Sequence, residues 1–332
     1  MAADRDSLIG QIAAFIDGLF AIGRSRPQAP PEAHLRYLAD AEVGPIRPRT
    51  RRQPAASPGR PPNIDDRAEV SVVLGSYNRR PLLQHAIRSV RDNFDGLRGE
   101  IVVVDGGSKD GSIEWLAEQT DIVTVVQHNR YEHQGQARRR MTWGQFMNIG
   151  FRAASAERIV MISDDCYLLP NAIGAALQRM DEAARAGVNV GACAFYFRNW
   201  PAESDYYVQR TLGGNLMVNH GIYTRAALHA AGYANEDDFA FYKADSDLSL
   251  AIWQAGFAII DAPTSICEHY MSAEEAARVS NNAAMDFDRD QLRKRWPELV
   301  ERNGVRKMGK KMLNWRDPQR TAERVFGDQA AA

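Results

Sequence analysis

Cysteine is scarce in this chain: three residues in 332, Cys166, Cys193 and Cys267, far apart and without paired metal-site spacing. That excludes a disulfide-stapled scaffold and reads as reduced, buried thiols. No apolar run approaches the roughly 18 residues that a membrane span needs. An excess of one charge is also missing. Lys and Arg number 41 against 42 Asp and Glu, so no whole-molecule field draws the chain to nucleic acid. The glycine spacings of a dinucleotide fingerprint and of a P-loop are absent. The opening Met1-Ala2-Ala3-Asp4-Arg5-Asp6 lacks the basic n-region of a signal peptide. The expectation is a cytoplasmic protein, with peripheral contact with the inner face of a membrane left open.

What is present is ordinary globular composition, 45% hydrophobic and 25% charged. Residues 7–20 place Leu8, Ile12, Phe15, Ile16, Leu19 and Phe20 on one helical face. This amphipathic helix, over 1–23, is expected to pack on its own domain or on a second subunit, with lipid as the alternative. Nine of the fifteen prolines fall in 24–68 together with Arg47, Arg49, Arg51, Arg52 and Arg60, the composition of an extended linker. A compact α/β domain is expected over 69–270, with a helical extension over 271–332.

Within that domain, the β-branched runs Val70–Leu74, Ile101–Val104 and Ile122–Val126 alternate with helical patterns. That order predicts parallel strands joined by right-handed crossovers. A further buried run, Arg158–Ile162, leads into Ser163-Asp164-Asp165-Cys166, with Pro170 placed to open the next helix. Ligands of such sheets bind beyond the strand C-termini, where Ser76, Asp105 and the Asp164-Asp165 pair all fall. Adjacent carboxylates repel unless a cation neutralises them, which points to a divalent metal and a phosphorylated ligand. A solvated turn is the alternative.

Asp105 admits two readings: an acceptor for a base N–H, or an Asx turn opened by Gly106 and Gly107. Basic residues between Gln127 and Ala154, Arg138 to Arg140 among them, suit a diphosphate or a solvated loop. Gly213-Gly214-Asn215 permits close backbone approach to a ligand. Asp245 and Asp247 open a helix through Leu248 and Ile252; either is stabilised by the helix dipole, or one serves as a general base. His269 is read as a metal ligand or as a structural histidine. Arg306, Lys307, Lys310, Lys311 and Arg316 form a basic cluster, read by default as a solvated helix face, with a lid or a membrane contact as alternatives.

Taken in order, these pieces resemble the family 2 glycosyltransferases of the GT-A fold, over about residues 70–270. They are Val72–Arg79, Val103–Ser112, Asn148-Ile149-Gly150, Ser163-Asp164-Asp165, Asp245–Leu248 and His269. The resemblance implies a GT-A Rossmann-like, mostly parallel sheet flanked by helices. It also implies a UDP-, dTDP- or GDP-sugar donor, a glycan or other hydroxyl acceptor, and Mn2+ or Mg2+. It suggests Ser76, Asn78, Arg79, Asp105, Asp164, Arg138 and Gly214 for the donor, Asp165 and His269 for the metal, and Asp245 as the base of an inverting transfer. Two positions depart from the family pattern. Cys166 stands where an acidic residue is frequent, and Met147 where an arginine commonly precedes Asn148. A non-catalytic nucleotide-sugar-binding protein and a sugar nucleotidyltransferase are the competing readings. The second wants a Gly- and Arg-rich loop after the first strand, which Ser76-Tyr77-Asn78-Arg79 does not provide.

Overall fold

The structure, a computed structural model, describes residues 68–128, 131–133, 136–138, 141–200, 203–270, 275–303 and 308–313, with backbone alone over 131–138, 275–283 and 301–303. The expected helix over 7–20, nearly all of the linker, and Arg306, Lys307 and Arg316 lie outside the described residues.

The β-branched runs become strands because both sheet faces are covered. β1 (Val70–Ser76), β2 (Gly99–Asp105), β3 (Ile122–Val126) and β6 (Arg158–Ser163) pair in parallel, in the order β3-β2-β1-β6. β4 (Tyr131–His133) and β5 (Gln136–Arg138) form a separate two-stranded ribbon. Beyond β6 the sheet continues through β10 (Gly221–Thr224), antiparallel to β6, to β8 (Val190–Trp200). β8 carries β9 (Tyr207–Arg210) and lies parallel to β11 (Ala258–Tyr270), which in turn takes β7 (Cys166–Leu168) antiparallel. This is the expected mixed α/β architecture, a mostly parallel sheet flanked by helices, with β10, β7 and β9 added antiparallel.

Alternate residues of β1 face opposite layers. Val72 and Leu74 join a core with Leu83 and Ile87 of α1 (Arg80–Asp92) and Ile173 and Met180 of α4 (Ala172–Arg185). Val73 faces a second core with Met147 and Phe151 of α3 (Trp143–Ala153). Between α1 and α3 lies the short α2 (Ser112–Ala117). Thr142 caps α3 in a capping box with Gln145. Gly150 lets α3 sit close to the sheet, since a Cβ there would lie 2.4 Å from Val73 Cγ1. The second core is completed by α5 (Arg225–Ala230) and by Leu248 and Ile252 of α6 (Ala244–Gln254).

β11 runs unbroken from Ala258 to Tyr270, with a register shift between Ala262 and Ile266 that accommodates Pro263. Two expectations change. Pro170 does not open α4: the chain first forms β7, and the helix starts after Asn171, whose φ is 62°. The described part of the basic cluster read as a helix face, Lys310 and Lys311, is instead in an edge strand, β12 (Gly309–Met312), paired with β9. Lys311 Nζ reaches the buried Asp261 at 2.6 Å and Lys310 Nζ reaches Glu203 at 2.5 Å.

C-terminal to β11 the chain forms α7 (Glu275–Arg295) and α8 (Pro297–Asn303). α7 packs on the segment that leads into α6. The buried Asp288 carboxylate accepts the backbone N–H groups of Ala240, Phe241 and Tyr242 at 2.7–2.9 Å. Arg295 Nε and Trp296 Nε1 donate to Asp247 at 2.9 and 2.8 Å.

Candidate active site

Strand register brings the candidate residues to one rim. Ser76 pairs with Asp105 across β1 and β2, and Gly75 pairs with Ser163 across β1 and β6. Asp164 therefore follows β6 beside the end of β1. Asn78, just past β1, adopts a left-handed φ of 52°, a conformation that asparagine tolerates better than most residues. Its Oδ1 accepts from Lys109 N at 2.7 Å, and its own N–H donates to Ser108 Oγ at 2.8 Å. These bonds lock the β1 loop to the β2 loop.

Arg79 extends from that turn to both acids. Its Nη1 lies 3.0 Å from Asp164 Oδ1 and 2.9 Å from Asp165 Oδ2. On the other side His269 Nε2 stands 3.3 Å from Asp165 Oδ1. His269 is fixed by a 2.8 Å contact between its Nδ1 and Asn199 Oδ1, while Asn199 Nδ2 donates to Tyr207 Oη at 3.0 Å. The site is under-satisfied: Ser76 Oγ and Asp164 Oδ2 are buried and have no hydrogen-bond partner among the described residues, and Asp165 Oδ1 has only the ion pair with His269. An orphaned carboxylate oxygen of this kind calls for a ligand or cation. The electrostatics agree. Burial, then the Asp165 charge, pushes the Asp164 carboxyl up to about 6, against the pull of Arg79. Burial also acts on Asp165, but His269 and Arg79 outweigh it and hold that carboxyl below the usual range.

His269 shows the converse balance. Burial disfavours its charge, yet Asp165 and Cys166 raise it to about 9. A histidine raised above its unfolded value, ordinarily about 6.5, contributes stability that is complete below that value and lost as pH rises through about 9. Metal-free protein should therefore lose stability between pH 7 and 9, by at most about 3 kcal/mol, and His269→Gln should remove most of that slope. Urea unfolding at the two pH values checks this. Equal midpoints in the wild type would contradict the assignment.

Asp105 is fully buried, and its own loop occupies both carboxylate oxygens. Oδ1 accepts from Gly107 N and Ser108 N at 2.8 and 2.7 Å, and Oδ2 from Ser108 Oγ at 2.7 Å. Of its two readings, the Asx turn is the one with this geometry. Asp105 shapes the rim through these bonds.

Asp245 lies in the first turn of α6, after Lys243 in a left-handed conformation (φ 67°). Its Oδ2 accepts from Asn219 Nδ2 at 2.8 Å and its Oδ1 from Ser246 N at 2.8 Å. Burial raises this carboxyl above the ordinary range, opposed by Lys243, Ser246 and Asn219. Asp247 is committed elsewhere, to Arg295 and Trp296. Leu212 of the 3-10 turn Leu212–Gly214 and Lys243 line the same cavity, about 290 Å3, with Leu292 and Met308. Gly214, φ 79°, accepts from Arg210 Nη1 at 2.7 Å. The side chain of Arg138, in β5, lies outside the described residues, as do Arg139 and Arg140. Asn148 is structural: it holds Ala234 and Glu236 through Nδ2 at 2.8 and 2.7 Å.

Asn219 and His220 join the two acidic centres. Asn219 binds Asp245, and the next residue, His220, places both ring nitrogens 3.5–3.6 Å from Cys166 Sγ, beside Asp165. Gly221 seats this pair, because a Cβ there would lie 2.2 Å from the Cys193 carbonyl oxygen. Sequence reasoning missed Asn199, Asn219 and His220. The only signal was position, polar residues at the ends of apolar strands.

Comparisons with known proteins add the following. A mannosyltransferase from Pyrobaculum calidifontis, solved with GDP-Man and Mn2+, is similar at 19% identity and a TM-score of 0.46, over 66% of this chain and 62% of that one. S. aureus TarS is similar at 16% identity and a TM-score of 0.48, over 64% of this chain and 38% of that one. TarS in complex with UDP-GlcNAc gives 17% identity and a TM-score of 0.47, over 62% and 60%. The chain thus spans less than two thirds of the length of these proteins. No curated protein matches it. The family profile described as glycosyl transferase family 2 matches residues 71–231, β1 through α5, stopping short of Asp245 and His269. Over that segment, just under half of the chain, the sequence matches the family 2 glycosyltransferases.

Proposed function

We propose that the chain is an inverting, divalent-cation-dependent glycosyltransferase that moves a sugar from a nucleoside-diphosphate donor to an acceptor hydroxyl. The observation that carries this reading is the buried Asp164-Asp165 pair at the rim of the parallel strands, where Asp164 Oδ2 has no hydrogen-bond partner among the described residues. Asp165 and His269 Nε2 have the donor atoms and spacing to hold a cation, with Asp164 beside them. When bound there, a divalent cation supplies Lewis-acid stabilisation to the departing diphosphate. Arg79, now shared between the two acids, provides the planar guanidinium that matches phosphate oxygens. The turn that aims Arg79 into this corner is the one Asn78 ties to the β2 loop.

Asp245 takes the acceptor's proton as the acceptor oxygen attacks the anomeric carbon. A carboxyl raised by burial is better matched to that transfer near neutral pH than an exposed one. Direct displacement with the base across from the leaving group inverts the anomeric centre. The donor test is calorimetric titration of UDP, dTDP and GDP in the presence of Mn2+. Asp165→Ala should weaken the metal-dependent component at least about tenfold, as perturbing a ligand shell does. Unchanged affinity would remove Asp165 from the role.

A further inference from the structure

Three side chains that the proposed reaction leaves unused, or uses only in part, meet behind Asp165. Cys166 Sγ, the His220 ring and the His269 ring offer one ligand atom each, all within 4.8 Å of one another. We infer that Cys166, His220 and His269 form the ligand set of a thiophilic divalent cation of the zinc class, with the fourth position left open for the donor, as in catalytic zinc sites. The inference rests on the cation-dependent reading above and deepens it by naming the kind of ion.

Distances support it. Tetrahedral zinc, with Zn–S near 2.3 Å and Zn–N near 2.05 Å, separates sulfur from nitrogen by roughly 3.5 Å. Cys166 Sγ lies 3.5 Å from the nearer His220 nitrogen, and the three ligand atoms all lie within 4.8 Å of one another. Asp165, 7% exposed, flanks the cluster with its Oδ1 3.3 Å from His269 Nε2. The outer shell is also in place. Asn199 Nδ2 is committed to Tyr207, so its Oδ1 faces His269 Nδ1 as an acceptor and leaves Nε2 free to ligate. Phe197 packs edge-on against both imidazoles, at 5.0 and 6.2 Å between centroids, which walls the cluster from water. Magnesium prefers an all-oxygen octahedron, whereas thiolate plus imidazole selects zinc-like ions. The cysteine that departs from the family pattern therefore changes the preferred ion; it does not merely thin the shell.

The test is cobalt(II) titration of the full-length, metal-stripped protein, followed by absorption spectroscopy and competition with zinc. The expected result is one cobalt per chain with intense tetrahedral d–d bands and a thiolate-to-cobalt charge-transfer band. Cys166→Ser should abolish the charge-transfer band, and His220→Gln should weaken zinc binding by about 10–100-fold. The wild-type spectrum alone decides the matter if a variant fails to fold. A weak six-coordinate spectrum without a thiolate band overturns the inference. Should nucleotide diphosphate still bind with Mn2+ in that case, the transferase reading survives without this site. A thiolate band in protein that binds no nucleotide supports the site and counts against the transferase reading.

Discussion

Asp245→Asn is expected to bind the nucleotide-sugar donor normally and to turn over about 10²–10⁴ times more slowly, the usual contribution of a positioned general base. That is about 3–5 kcal/mol on the barrier. Asparagine keeps an oxygen for Asn219 Nδ2 or for Ser246 N, so the first turn of α6 should stay in place. What it loses is the capacity to accept a proton. Donor titration and single-turnover rates with acceptor separate the two effects, and a rate within a few-fold of wild type would disqualify Asp245. Asp247→Asn is the internal comparison. Its partners are Arg295 and Trp296, so it should lower stability more than the chemical rate.

The second large effect is on folding. Glu268 is buried on β11, where Arg198 donates to it twice, at 2.8 and 2.9 Å, and Tyr206 Oη donates as well. Arg198 also stacks on the Tyr206 ring, 4.7 Å from its centroid. Glu268→Ala leaves a buried guanidinium without its counter-charge, which costs about 3–5 kcal/mol. For a chain of this size the melting temperature should drop on the order of 10 °C. Pairing the change with Arg198→Met should restore much of the loss, because the penalty lies in the stranded charge. If the double variant melts no higher than the single one, the destabilisation has another source.

The parallel strands were legible because burial on both faces leaves near-continuous β-branched runs, as in Val70–Leu74 and Ile101–Val104. The clustering of Ser76, Asp164 and Asp165 followed from strand direction alone. Other features depended on partners remote in the chain. Lys310 and Lys311 lie in four strand residues too short to carry a period, and their pairing with β9 is about a hundred positions away. Asp105 and Asp165 looked alike as acids at strand ends, yet one is bonded by its own loop and the other is held by Arg79 and His269, remote in the chain. Asp245 and Asp247 were likewise equivalent as carboxylates at a helix start until Arg295 and Trp296 claimed one of them. His220 had no pattern to announce it. It matters because β10 runs between β6 and β8, which no local spacing encodes.

The grip of Asp288 on three successive backbone amides bears on where this protein can be cut. A fragment trimmed to the family match would end at 231, before the helix that carries Asp245, and one trimmed at 270 would lose the carboxylate that anchors 240–242. The smallest piece worth expressing for activity therefore runs past Trp296, and recognisable homology marks a shorter length than the catalytic unit needs.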